Sequence, residues 1–423
     1  MNKKNSSLSD WLKYIESIHP ISIDLNLDRV KIVASLINIK MDGVVFTVGG
    51  TNGKGSTCGF LESFSLKAGY TVGLYTSPHI VSFNERFRIN GINVSDNDII
   101  DSLYFIDKVR GDISLTYFEF TTLAAIYLFS IKKLEVLIFE VGMGGRLDAV
   151  NVIDSDCSIV TSIGLDHVEW LGESRDSIGF EKAHIYRKNK PAICSDINPP
   201  MSLLDYANEI GADLLLVNSD FKYSINSNDT WSYRGKYSNF DELPYPKMLG
   251  KYQLLNASTA LIAIESVSDR LNISYKNICE GILNSFLPCR FQIIKKNPTI
   301  ILDVAHNAHA AISLAENLAG NNIFSKTHAV IGMLKDKNIS EVVKILDPYV
   351  DYWYCCSTLG PRGLSSDLLF DIIKDNLKSA NVICCSSVVN AFNTSLKNSN
   401  QNDRILVFGS FLTVSDVYQL YLS

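Results

Sequence analysis

Lys54 is the first residue with an evident chemical use. It lies in "VGGTNGKGST" (48–57), where Gly49, Gly50, Gly53 and Gly55 surround a single cation. Glycines let backbone N–H groups approach an anion, and lysine adds a full positive charge, so the stretch reads as a phosphate-binding loop. The common spelling is G-x-x-x-x-G-K-[ST], with the last hydroxyl on Mg²⁺. Here Gly55 follows Lys54, and the hydroxyl comes one place late, at Ser56. A cation bound beside this loop therefore needs ligands from elsewhere in the chain.

Candidates recur downstream. "TSPHIVSFNERFRING" (76–91) offers Ser77 and His79 around Pro78. "FEVGMGGRLDAVN" (139–151) puts Glu140 at the end of an apolar run, where a carboxylate is costly unless it meets a cation. Mg²⁺ suits that place, held by one or two carboxylates, phosphate oxygens and water; the glycines after Glu140 would leave room for substrate. "TSIGLDHVEWLG" (161–172) supplies Asp166 and His167, and "EKAHIYRKNKPA" (181–192) places Lys182 early on a helix. "LDVAHNAHA" (302–310) sets Asp303 at a strand end, suited to a ribose or adenine, with His306 and Asn307 in the next turn. Arg290 precedes it as a phosphate contact, and Ser410 follows the last strand. Each has a plainer use: a Ser-Pro turn with a surface histidine, an ion-paired glutamate, a structural histidine, a solvated lysine. Spacing alone leaves those open.

Short apolar runs alternating with helical patterns must position these residues. "GVVFTV" (43–48), "YTVGLYT" (70–76), "LEVLIFEVG" (134–142) and "DCSIVTSIG" (156–164) read as buried strands, with a helix over 56–68 and another over 174–187 capped by Ser174. "FRINGINVS" carries an Asn-Gly hairpin signal. This rhythm predicts an α/β fold: a doubly wound, mostly parallel sheet whose strand ends share one edge. A polar stretch (218–240) reads as an irregular β excursion, and helices follow from about 256 to 284. "SFLPCRFQIIKKNPT" (285–299) marks a boundary, giving domains 1–288 and 289–423. In the second, "TIILDVA", "THAVIGM", "DYWYCCS", "NVICC" and "RILVFGS" are five strand candidates of a smaller Rossmann-like α/β domain.

Composition narrows the class. The 423 residues exceed one typical core, which fits two domains. A net charge of −6 argues against a nucleic-acid partner. No run of about 18 apolar residues is available to span a bilayer, and the N-terminal stretch lacks the apolar region of a leader. The nine cysteines include no C-x-x-C. The pairs Cys355-Cys356 and Cys384-Cys385 read as buried reduced thiols on strands, which points to the cytoplasm.

Taken together and in order, "GGTNGKGST", "YTSPHIVSFNERFRING", "FEFTTLAA", "EVGMGGRLDAVN", "TSIGLDHVEWLG", "SIGFEKAHIYR", "YQLLNASTA", "LPCRFQ" and "LDVAHNAHA" resemble the folylpolyglutamate synthases, and in particular the bacterial bifunctional dihydrofolate synthase/folylpolyglutamate synthases of the Mur ligase superfamily. The resemblance runs from about Ser22 to Ser410. It implies an ATP-dependent amide ligase that adds L-glutamate to 7,8-dihydropteroate and to the γ-carboxylate of reduced folates. ATP would phosphorylate the substrate carboxylate, and the glutamate amine would attack the acyl phosphate. ATP is then a co-substrate and Mg²⁺ the metal, at two sites.

The same resemblance assigns residues. Thr51, Asn52, Gly53, Lys54, Gly55 and Ser56, with Asn256, Arg290 and Asp303, would bind ATP. Ser77 and Glu140 would ligate the first Mg²⁺. His167, with Glu140, would ligate a second. Lys182 would carry a carbamate, which turns an ammonium into an anionic oxygen ligand. Ile23, Asp24 and Leu25, then Thr116, Tyr117, Phe118 and Glu119, then Leu147, Asp148 and Ala149 would form the pterin pocket, with Phe118 stacking on the ring. His306 and Ser410 would lie on the glutamate side. A monomer is implied. Three positions depart from the family pattern: Cys289 for a glycine, Ala308 for a proline and Met143 for a leucine. A monofunctional folylpolyglutamate synthase is the alternative. A muramyl-peptide ligase fits less well, because only 47 residues precede the loop, too few for a nucleotide-sugar domain.

Overall fold

The computed structural model describes residues 6–37, 40–320 and 324–422. Residues 1–5, which begin the stretch searched for a leader, lie outside that set. The chain forms two compact units. One holds the described residues up to Gly164, Val168–Lys247 and Leu254–Ser285; the other holds Leu165–His167, Met248–Gln253 and the described residues from Phe286 on.

The elements through the first sheet are α1 (Leu8–Ile18), α2 (Asp28–Ile37), β1 (Val44–Gly49), α3 (Lys54–Lys67), β2 (Val72–Tyr75), β3 (Phe87–Ile89), β4 (Ile92–Asn93), α4 (Asp96–Arg110), α5 (Tyr117–Lys132), β5 (Val136–Glu140), β6 (Cys157–Val160), α6 (Val168–Leu171), α7 (Arg175–Ala183), β7 (Pro191–Cys194), α8 (Met201–Ile210) and β8 (Asp213–Leu216). Then come β9 (Lys222–Ile225), β10 (Thr230–Arg234), β11 (Asn239–Pro244), α9 (Tyr252–Glu265) and α10 (Tyr275–Asn284).

The first sheet has the order β4-β3-β2-β5-β1-β6-β7-β8, parallel from β2 to β8. The β2–β3 and β3–β4 pairs are antiparallel, and the β3–β4 hairpin turns at Asn90 and Gly91, whose φ values of 53° and 77° suit the tight hairpin turn. β1 pairs Val48 with Glu140 and Gly49 with Val160, so the ends of β1, β5 and β6 meet at one edge. Helix α3 leaves that edge buried along 56–65. It is enclosed on its far side by α10: a Cβ on Gly281 would lie 2.4 Å from Phe64 Cδ1, and Ser63 Oγ donates to Gly281 O at 2.8 Å. A helix covered on all sides needs no apolar stripe, and that is how α3 reads. Its one buried charge, Glu62, pairs with Arg88 of β3 at 3.0 Å.

The second unit contains β12 (Gln292–Lys296), β13 (Thr299–Leu302), α11 (Ala308–Ala319), β14 (Thr327–Ile331), α12 (Ile339–Leu346), β15 (Tyr352–Cys356), α13 (Ser366–Asn376), β16 (Asn381–Cys385), α14 (Val388–Asn398), β17 (Arg404–Phe408) and α15 (Phe411–Leu422). Its sheet order is β12-β13-β17-β14-β15-β16, parallel except for β12.

Several expectations need correction. The polar stretch at 218–240 is not irregular: β9, β10 and β11 form a three-stranded antiparallel sheet around buried Trp231 and Tyr233. A third of the boundary stretch 285–299 is a strand, β12, hidden in the sequence because an edge strand carries exposed lysines. Helix α7 ends at Ala183, so Lys182 stands in its last turn and not early on a helix. α3 begins at Lys54 itself, and α9 begins four residues earlier than expected. All nine cysteines are free, but Cys384 is exposed, at the edge strand β16. No helix among the described residues is long and apolar enough to cross a membrane.

Candidate active site

The glycine-rich loop is braced by the segment that follows β6. Thr51 N–H donates to Ser162 O at 2.7 Å, and Asn52 N–H donates to Ser162 Oγ at 3.0 Å. Thr161 Oγ1 donates to Asn52 O at 2.6 Å. A Cβ on Gly50, where φ is 138°, would fall 2.0 Å from Thr161 Oγ1, so only glycine fits. Gly53, with φ of 87°, is the N-cap of α3 and has no side-chain cap. The N-cap residue thus offers no side-chain cap to the first N–H groups of this helix, which suits an anion. Lys54 Nζ folds back over the loop, donating to Gly50 O at 3.0 Å and Thr51 O at 3.1 Å. Asn256, buried in α9, stands against the same turn: a Cβ on Gly53 would meet its Oδ1 at 2.6 Å. The loop expectations and Asn256 thus converge on one place.

Glu140, only 5% exposed, accepts from the Ser77 backbone N–H at 3.1 Å. β2 and β5 are neighbours, and this bond joins their ends. The two residues expected to ligate a first cation are brought together. Burial pushes the Cys58 thiol well up; Glu140 adds to that push and Lys54 opposes it, so both charges act at the same spot on α3. Among the described residues, no group of three or more His, Cys, Asp and Glu side chains forms a cation cage. The donor set at this edge is one carboxylate and one hydroxyl-bearing residue. That fits a hard cation that keeps water and phosphate oxygens as its other ligands.

The glycines after Glu140 do not clear space for substrate, contrary to expectation. A Cβ on Gly142 would lie 2.5 Å from Phe118 Cζ, one on Gly144 2.9 Å from Leu171 Cδ2, and one on Gly145 2.6 Å from Glu181 O. They let this turn pack directly on α5 and on the backbone of α7, which carries Lys182. Lys182 is 4% exposed.

The segments expected to hold a pterin meet as well. Thr116 caps α5 by accepting from Glu119 N–H, and Glu119 returns the bond to Thr116 N–H at 2.7 Å. Glu119 also pairs with Arg29 at 2.9 Å, and Arg29 with Asp24 at 2.6 Å. Asp24 further contacts His19 at 3.2 Å. This chain of charges ties 22–30, with Ile23 and Leu25, to the start of α5. Phe118 is half-buried, its ring 6.2 Å from Tyr75. Asp148 is buried between Leu147 and Ala149 and accepts from the Met143 and Val150 N–H groups, each at 2.9 Å. Burial pushes its carboxyl up to about 6 against those bonds and the charge of Lys54.

In the second unit, Asp303 is fully engaged by backbone, accepting from Phe291 N–H and Ala305 N–H at 2.8 Å each. It thereby fixes the Cys289–Phe291 turn, where Cys289 and Phe291 take φ of 60° and 45°. Arg290 lies 5.4 Å over the Phe411 ring, and its Nη1 is buried without a hydrogen-bond partner, an orphan that fits an anionic ligand. Ser410 accepts from Thr413 N–H at 3.1 Å, starting α15. Asp166 is bound by Asn307 Nδ2 at 2.9 Å and Lys337 Nζ at 2.5 Å, with His306 Nε2 at 3.5 Å. Against burial, which raises it, His306, His167 and Lys337 hold its carboxyl far below the usual range. His167, beside it, takes φ of 51°.

Sequence reasoning missed Thr161, Ser162, Arg29, Arg86 and Lys337. Of these, Arg86 had a signal: it stands in the quoted "FNERFRING", one residue before a strand. His79, by contrast, sits at the site as a neutral ring, accepting from Arg86 Nε at 2.9 Å; burial first and Arg86 second depress it to about 4.

Two family models match the chain: the Mur ligase middle domain over 48–264 and the Mur ligase glutamate ligase domain over 289–411. The dihydrofolate synthase/folylpolyglutamate synthase of Escherichia coli (strain K12) is 42% identical over 416 residues, which cover 98% of this chain and 96% of that protein. A structure of the E. coli protein in complex with DHPP and ADP superposes with a TM-score of 0.94 at 41% identity, covering 99% of each chain. A bifunctional folylpolyglutamate synthase/dihydrofolate synthase with Mn, AMPPNP and L-glutamate bound gives 0.91 at 42% identity, with 99% of each chain covered. With near-complete coverage and both Mur ligase domains matched, the chain belongs to the dihydrofolate synthase/folylpolyglutamate synthase family.

Proposed function

We propose that this protein is an ATP-dependent ligase that joins L-glutamate to 7,8-dihydropteroate and to the γ-carboxylate of reduced folates, through an acyl phosphate. The observation that carries this reading is the shared strand edge: an uncapped helix N-terminus with Lys54, next to the buried Glu140–Ser77 pair. A carboxylate is a poor electrophile, and phosphorylation gives it a leaving group. No protein nucleophile is needed, so positioning and charge stabilisation supply the catalysis.

In this reading the N–H groups of 51–56 and Lys54 bind the ATP phosphates, and Asn256 steadies the turn they form. Ser77 and Glu140 would hold Mg²⁺, which would neutralise phosphate charge. Lys182, buried at the end of α7, is the carbamate candidate. The pterin would lie along Thr116–Glu119, with Phe118 against the ring and Asp148 at its edge. Arg290 and Asp303 are the nucleotide-side residues of the second unit, and His306 and Ser410 the glutamate-side ones. A monomer working in the cytoplasm fits nine free thiols.

Oxygen-18 labelling tests the acyl phosphate. With dihydropteroate labelled in its carboxylate, one labelled oxygen should appear in each inorganic phosphate released. Unlabelled phosphate alongside product formation would rule the intermediate out.

A further inference from the structure

Arg86 is a half-buried cation without a counter-ion. Its neighbour Glu85 does not serve it, because that carboxylate accepts three backbone N–H groups: Ile80 at 2.7 Å, Val81 at 2.9 Å and Ser82 at 2.7 Å. Among the described residues, Arg86 has no ion pair, and its only side-chain hydrogen bond runs from Nε to His79 Nδ1. The guanidinium lies against two aromatic rings, its Cζ 5.6 Å from both the Phe83 and Tyr117 centroids, which are themselves 6.1 Å apart. His79 packs edge-on against Phe83, which fixes the acceptor in turn. One edge of the fork is thus anchored on His79, the two adjoining rings pack against the guanidinium together, and the two terminal nitrogens remain to meet something else.

Placement says what that is. Arg86 O accepts from Thr76 N–H at 3.0 Å, so Arg86 stands across from the end of β2, beside Ser77 and hence Glu140. Tyr117, the ring beneath it, adjoins Phe118 in the pterin segment. A cation prepared in this way is ready to receive an anion, and a planar fork prefers a bidentate carboxylate.

We infer that Arg86 is a substrate-specificity residue whose terminal nitrogens bind a carboxylate of the pteroyl substrate. The inference rests on the ligase reading above. Dihydropteroate has one carboxylate and tetrahydrofolate two, so the two substrates distinguish the source.

The test compares wild type, Arg86→Gln and Arg86→Lys. It measures KM for each substrate and for ATP, and the Kd of dihydropteroate and tetrahydrofolate without ATP by tryptophan fluorescence. Arg86→Gln should raise KM and Kd about tenfold or more, with the KM for ATP unchanged; Arg86→Lys should recover part of the loss. A rise for both substrates assigns the carboxylate that each presents for ligation, the benzoyl carboxylate of dihydropteroate and the γ-carboxylate of tetrahydrofolate. A rise for tetrahydrofolate alone assigns the α-carboxylate of its glutamate. Unchanged KM and Kd for both substrates would overturn the inference, as would an equal rise in KM for ATP. If wild type itself shows no turnover with either substrate, the ligase reading fails instead.

Discussion

Replacing Glu140 by glutamine keeps the side chain's volume and its bond from Ser77 N–H while removing a buried charge. If the charge serves a cation, the variant should lose at least about 100-fold in turnover, since a metal's contribution is several kcal/mol. Its melting temperature should stay level or rise, because a buried carboxylate is a cost to the fold without its cation. Full turnover would remove Glu140 from the metal site. Lys182→Ala tests the other buried charge. Turnover should fall about 100-fold, and added short carboxylic acids should restore part of it by supplying the missing oxygens. An alanine variant with wild-type activity would dismiss the carbamate. At this scale the sequence was most legible where a residue's type conflicts with its surroundings: Lys54 among glycines, and Glu140 ending the run "VLIF". It was least legible where ordinary residues act through distant partners. Thr161 and Lys337 look unremarkable until the fold sets them against Asn52 and Asp166.

At the scale of elements, the turn 142–145 couples β5, α5 and α7. Gly145→Ala would press a methyl within 2.6 Å of Glu181 O and 3.1 Å of Lys182 Cα, both backbone atoms that cannot swing aside. The variant should be destabilised by about 1–3 kcal/mol in denaturant melts and lose turnover through the displaced Lys182. An unchanged midpoint would mean that the α7 contact is slack. The small β9–β11 sheet offers a test by pH. Glu265 sits beneath it, bonded by Tyr233 and Ser238, and burial raises its carboxyl to about 7 from an ordinary 4.5. A raised folded value means the stability it contributes is full below about 4.5 and is lost as pH climbs through 7, by no more than about 3 kcal/mol. Glu265→Gln should flatten the fall in melting temperature between about pH 4.5 and 7; an identical fall in the variant would exclude this carboxyl as its source. Periodicity found the buried parallel strands because they are continuous apolar runs. It missed β12 and left the β9–β11 sheet as an irregular β excursion because exposed edges and small sheets are written in polar residues. The Cys289 position shows the same limit: the departure from glycine was visible, but its left-handed φ of 60° was not.

For the whole molecule, the pattern change near 285–299 suggests a boundary at 288/289, and the last change-over between the compact units falls at Ser285–Phe286. What no local pattern revealed is that Leu165–His167 and Met248–Gln253 belong with the second unit, because the chain visits it twice before Phe286. The central claim is that phosphate release is tied to amide formation and does not follow from ATP binding alone. ADP release by the purified full chain with Mg-ATP, L-glutamate and 7,8-dihydropteroate tests it most directly, omitting each component in turn. Release should require glutamate and the pteroate together, with a reduced folate able to replace the pteroate. ADP release that continues undiminished without glutamate or any pteroyl substrate would contradict the account and make the loop that of a simple ATP-hydrolysing switch.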